Sequence, residues 1–366
     1  AIPRRPGGRE ARCDLSRGRG AGAARGSVRP ARRDVPAPGE RGATGRRGGS
    51  PVTVSHALGA IARRADDYLR AADPGGELAG SARRYVDDSR RWRPARYADV
   101  CPAMAKAEAS LKASAPRLAA RLNRLLIARH LADFELQASA AVLPETVCAL
   151  YPPQLERLLR QLRELDDSYY DLGNDSFLKD LAILRHRLIP VGAEFAALDA
   201  GVPRRVLAAG GAAQLRDGLR CCLLDAGGFR PYLELHAHVQ SLERFTPAGW
   251  MATYARLAQL LEHNPRYRGW ISSSWFLDPQ LQQVSPRLAY LRAVPERHGA
   301  VFLFVREDRE GSSGALARSP TRRRLFQEQR YLPRIYLRVW TRRRVLQWYR
   351  RECGHLATLL EQEAPD

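Results

Sequence analysis

"FRPYLELHAHVQS", residues 229–241, is the stretch on which the reading of this chain turns. Read as a strand, it carries Glu234, His236 and His238 on one side, because side chains alternate across a strand. Two imidazoles and a carboxylate on a shared face suit three uses. They can ligate zinc or iron(II), given at least one further ligand from elsewhere. They can serve a cleft as general base, with Glu234 or a histidine taking the proton. They can also be no more than the polar side of a half-exposed strand.

Working outward, short strand-like runs alternate with helices. The runs are "GAEFAALDA" (192–200), "RRVLAAG" (204–210), "RPYLELHAHV" (230–239), "YRGWISSSWFL" (267–277) and "GAVFLFVRE" (299–307). Between the third and fourth lies "TPAGWMATYARLAQLLEHN" (246–264), a helix starting at Thr246 with Pro247 in its first turn. "SPRLAYLRAV" (285–294) starts the same way at Ser285-Pro286. This alternation is an α/β or α+β signature. Ser272, Ser273 and Ser274 end one strand, but none sits in GxSxG, so no nucleophile elbow is expected. Arg287 and Arg292 flank Tyr290 on the next helix.

Upstream the pattern is helical from about Thr53 to residue 166. Leu155, Leu158, Leu159, Leu162 and Leu165 line one face behind Pro152 and Pro153. Residues 166–190 begin as a turn rich in Asp, Asn and Gly, then predict a helix capped by Ser176 that stops near Pro190. The first 50 residues differ, with 13 Arg against 4 acids and 11 of the 29 glycines. Such a segment buries too little apolar surface to offset chain entropy and is expected to be disordered. It opens on Ala, holds residues that GC-rich DNA encodes by default, and has no aromatic on which a base could stack. An unselected sequence is therefore preferred over a nucleic-acid tail.

The 366 residues carry 60 Lys+Arg against 39 Asp+Glu, a net charge of +21, which favours phosphate-bearing partners. No apolar run approaches the roughly 18–20 residues of a spanning helix, and a cytosolic location is expected. Six scattered cysteines without a CxxC pair read as free thiols. Residues 321–351 hold eleven Arg and one acid, Glu328, interleaved with Phe326, Tyr331, Tyr336, Trp340, Trp348 and Tyr349. Basic plus aromatic suits a nucleic-acid surface, while the apolar positions within the segment fit packing as either strand or helix.

The order from Pro231 to Val305 — strand, helix, strand, helix, strand — resembles the second half of a GNAT-type N-acyltransferase. That resemblance implies acyl transfer from an acyl-CoA or other acyl-thioester to a small-molecule amine. It places Glu234 or His236 at the general-base position, Gly249 near the loop that holds the acyl-CoA pyrophosphate, with Trp250 and Arg244 beside it, and Tyr290 as the acid that protonates the leaving thiolate. His238, Ser274 and Arg287 would position substrate. The family's second loop glycine is missing from "RFTPAGWM". The expected fold is α+β: a disordered leader (1–51), a helical region (52–188), and a GNAT-like mixed sheet flanked by helices with a basic aromatic C-terminal arm (189–366). Alternatives are a nucleic-acid-binding protein using 321–351, or a metal-dependent enzyme with Glu234, His236 and His238 as ligands.

Overall fold

Leucines at three- and four-residue spacing build the helical half of the chain. The computed structural model describes residues 51–91 and 96–362. The expected disordered leader lies outside the described residues, apart from Pro51, which begins α1 (Pro51–Ala72). There follow α2 (Glu77–Arg91), α3 (Pro102–Ser114), α4 (Pro116–Ala132), α5 (Glu145–Cys148), α6 (Tyr151–Glu164) and α7 (Asp175–Leu184). Leu155, Leu158, Leu159 and Leu162 of α6 are buried against Ile61 and Leu69 of α1 and Leu122, Leu125 and Leu126 of α4. Each such side chain contributes about 1.5–3 kcal/mol of burial. Leu165, past the helix end, is only half-buried.

Downstream come β1 (Leu188–Pro190), β2 (Phe195–Ala200), α8 (Arg204–Ala209), α9 (Gly211–Leu219), β3 (Tyr232–His236), α10 (Pro247–His263) and β4 (Gly269–Ser274). The chain then runs through α11 (Leu281–Val284), α12 (Tyr290–Arg297), β5 (Val301–Glu307), α13 (Pro320–Gln327), β6 (Arg334–Thr341) and α14 (Arg342–Gln362). The described residues are thus α+β, with one six-stranded mixed sheet ordered β1-β2-β3-β4-β6-β5. All neighbours are antiparallel except β3 and β4, which are parallel. Strand alternation sorts the sheet into two faces. Leu233, Leu235, Trp270 and Trp340 pack with α10 and α14, while Tyr232, Ile271, Leu337 and Val339 pack with α8 and the π-helical turn Arg220–Asp225.

Several local expectations are corrected. The run 204–210 is the helix α8; a short apolar run without a clear period cannot separate strand from helix. Asn174, not Ser176, caps α7, its side chain accepting the Ser176 N–H, and the helix ends at Leu184, with His186 at φ 52° before β1. Ser285 makes no side-chain cap, and a 3-10 turn, Pro286–Leu288, precedes α12. Residues 321–351 form no separate arm: they are α13, the interior strand β6 and the start of α14. Cys101, Cys221 and Cys222 are buried free thiols. Residues 188 and 189, where the helical region and the sheet region are divided in sequence, lie in β1; Tyr151 and Ile183 share a core with Phe195 and Ala197, and the described residues form one compact unit.

Candidate active site where two parallel strands part

The parallel pairing of β3 and β4 spans two positions, Leu233↔Trp270 and Glu234↔Ile271. Beyond them, Leu235 and His236 pair with β2 alone, and Ser272 to Ser274 pair with β6 alone. The two strands therefore part in mid-sheet, directly beyond Glu234. Backbone groups on the facing edges lose their β3–β4 ladder there, inside the sheet rather than at its rim.

Glu234 and His236 stand at this parting, with His236 Nε2 3.7 Å from Glu234 Oε2. The Tyr97 ring packs on the imidazole at 4.5 Å between centroids, and its hydroxyl donates to Asp175 Oδ1 at 2.9 Å. Lys179 Nζ holds the other side of that carboxylate at 2.6 Å. His236 Nε2 is buried without a hydrogen-bond partner. His238 takes a different course. It lies past the strand end, fully buried, with Nε2 3.2 Å from Asp180 Oδ1. Arg157 Nη2 reaches the same oxygen at 2.6 Å, and Tyr169 donates to Oδ2. Burial opposes ionisation of Asp180, but the Arg157 charge and the hydrogen bond from His238 outweigh it and hold the carboxyl below its usual range. The three side chains of the opening stretch do not form one ligand set. Among the described residues, no group of three or more His, Cys, Asp and Glu is placed to hold a metal.

The start of α10 is built by its sequence. Thr246 Oγ1 accepts the Gly249 N–H at 3.0 Å, and Pro247 occupies the first turn. A Cβ at Gly249 would collide with the Arg244 carbonyl, so only glycine lets the preceding loop lie this close. Tyr290 reaches the same place, its hydroxyl donating to the Phe245 carbonyl at 2.9 Å, and burial pushes its pKa up. Trp250 is buried with its indole Nε1 lacking a partner. Ser274 Oγ is occupied by the Phe276 N–H, and Arg287 is exposed on its 3-10 turn.

Two residues at the parting carried no assignment from sequence. Arg338, on β6, is 1% exposed and donates to Ser272 Oγ, Tyr254 Oη and the Leu291 carbonyl, with its guanidinium 4.3 Å above the Trp270 ring and 5.4 Å from that of Trp250. Glu194, immediately before β2, is 6% exposed with Oε2 unpartnered. Burial pushes its pKa up to about 7, although Arg338, His236 and Lys179 all act to lower it. Glu194 thus feels charges from both sides of the parting. Each carries a faint sequence signal, a charge with apolar neighbours on both sides in a strand-like run.

Of the basic aromatic segment 321–351, Arg322, Arg338, Tyr331, Trp340 and Trp348 are buried, so the larger rings belong to the core rather than to a stacking surface. Among the described residues no helix is long and apolar enough to cross a membrane. Compared with known proteins, the chain matches no protein-family model, no curated protein and no solved structure.

Proposed function

We propose that the chain transfers an acyl group from an acyl-thioester such as acyl-CoA to a small-molecule amine, at the place where β3 and β4 part. The observation that carries the reading is the parallel pair that stops after two positions in mid-sheet, with His236 Nε2, Glu194 Oε2 and Trp250 Nε1 buried and unpartnered around it. Support also comes from the strand order, with the parallel pair central and β6 inserted between β4 and β5. The GNAT-type acyltransferases, which the chain resembles over residues 231–305, admit the pantetheine arm of acyl-CoA between two such splayed parallel strands.

In this reading the amine nitrogen attacks the thioester carbonyl, the C–S bond breaks, and the amine proton passes to His236 Nε2. Glu234, 3.7 Å away, stabilises the resulting imidazolium. The leaving thiolate takes its proton from Tyr290; the His236 imidazolium then releases the amine proton to solvent and solvent reprotonates the tyrosinate, which restores its hydrogen bond to the Phe245 carbonyl. A pyrophosphate at the start of α10 competes with Thr246 for the Gly249 N–H, so Arg244 supplies the remaining charge. His238, committed to Asp180, positions the end of β3 rather than touching substrate. Thermal unfolding with and without acetyl-CoA and a long-chain acyl-CoA is the direct test. A saturable rise in Tm is expected, and no shift with either compound at millimolar concentration overturns the reading. With an amine panel, His236→Ala is expected to lower kcat/KM by about 10²-fold.

A further inference from the structure

We infer that the arginine-lined cavity at the opposite end of β4 binds an anion carrying two or more phosphate groups. The cavity, of about 530 Å³, is lined by Arg266, Arg268, Arg342, Arg343 and Arg350, with Asp225 as the one carboxylate among the described lining residues. It lies beside Arg268, the residue before β4, whereas the strands part beyond Ile271, so it is separate from the proposed acyl-transfer site.

The charge here is not balanced from within. Arg268 gives Nε to the Arg230 carbonyl and Nη1 to the Ala226 carbonyl at 2.8 Å, and Arg342 gives Nε to the Leu261 carbonyl at 3.2 Å. These carbonyls hold the guanidiniums in place without neutralising them. Asp225 is shared by Arg343 and Arg344, and Asp199 takes Arg266 at 3.3 Å. Among the described residues, Arg266, Arg268, Arg342, Arg343 and the neighbouring Arg344 thus meet two carboxylates, Asp199 and Asp225, an excess of three positive charges beside the cavity. Repulsion among them is relieved by an anion, and guanidinium forks match phosphate oxygens in pairs.

The start of α14 adds to the same field. Its first turn carries Arg342, Arg343 and Arg344 where acidic residues are favoured. Thr341, the residue before it, is 1% exposed and keeps an unpartnered Oγ1, so its hydroxyl does not cap the helix. The number of arginines exceeds what one phosphate engages, which points to a ligand with at least two. Free pyrophosphate-type anions and a nucleic-acid backbone share that chemistry.

Binding of pyrophosphate by calorimetry, and of a fluorescent single-stranded oligonucleotide by anisotropy, distinguishes the sources. The intact chain is compared with Arg343→Glu/Arg350→Glu, with the milder Arg343→Gln/Arg350→Gln, and with Arg205→Glu, an exposed arginine outside the cavity. Binding of pyrophosphate weakened about tenfold or more in the cavity variants, and kept by Arg205→Glu, supports the site with a free phosphate ligand. The same pattern with the oligonucleotide, without competition from pyrophosphate, supports it with nucleic acid as the source. Binding of neither probe, or equal losses in all variants, overturns the inference. None of these outcomes depends on acyl-CoA.

Discussion

Glu194 concentrates the conflict between stability and chemistry into one carboxyl group. Its ordinary value near 4.5 is pushed up to about 7, chiefly by burial, so the folded chain retains a proton that the unfolded chain releases. Stability therefore falls as pH rises from about 4.5 to about 7, then levels off. Gln keeps the shape and removes the charge. Glu194→Gln is expected to gain on the order of 3 kcal/mol over the parent at pH 8 and almost nothing at pH 4, measured by urea unfolding. A variant whose stability tracks the parent at both pH values would show that Glu194 is not where the buried proton sits. Retaining so costly a group makes sense at a site where a carboxyl near neutrality is useful.

At the scale of elements, α10 shows what local chemistry can specify. Thr246 and Pro247 mark its start in sequence and mark it in the structure, because a cap needs only neighbours along the chain. Thr246→Ala is expected to cost about 1 kcal/mol, and Gly249→Ala, which drives a Cβ into the Arg244 carbonyl, about 1–3 kcal/mol. Thermal unfolding checks both, and a neutral Gly249→Ala would mean that the preceding loop moves freely. The strands β2 to β5 were legible for the same local reason, as was the shared side of Glu234 and His236. Less of the site could be seen. That His238 leaves this row for Asp180 depends on a contact across 58 positions of sequence, and no periodicity carries it. Arg338 looked like one of eleven surface arginines, because only the insertion of β6 between β4 and β5 puts it under Trp270. The run 204–210 is ambiguous in sequence, since four or five apolar residues fit either period, and only packing makes it helical.

Across the whole molecule, Asp180 joins what the sequence divides. Arg157 comes from α6 and Asp180 from α7, while His238 follows β3, so one buried carboxylate binds the helical region to the sheet beside the parting strands. Removing its charge leaves the Arg157 guanidinium, 9% exposed, without its counterion. Asp180→Asn is therefore expected to cost about 3–5 kcal/mol. Because folding depresses the Asp180 pKa, its contribution is fully present above the unfolded carboxylate value. It is lost as pH falls through the lower folded value. Two probes weight the halves differently: helical circular dichroism reports on α1 to α7 together with α10 and α14, whereas five of the six tryptophans, Trp250, Trp270, Trp275, Trp340 and Trp348, belong to the sheet half. If the shared core of Tyr151, Ile183, Phe195 and Ala197 couples them, both probes follow one transition in the parent chain, and Asp180→Asn moves the two curves together. Separate midpoints in the parent would mean that the helical region unfolds by itself, and that the Asp180 contact only decorates a boundary between independent parts.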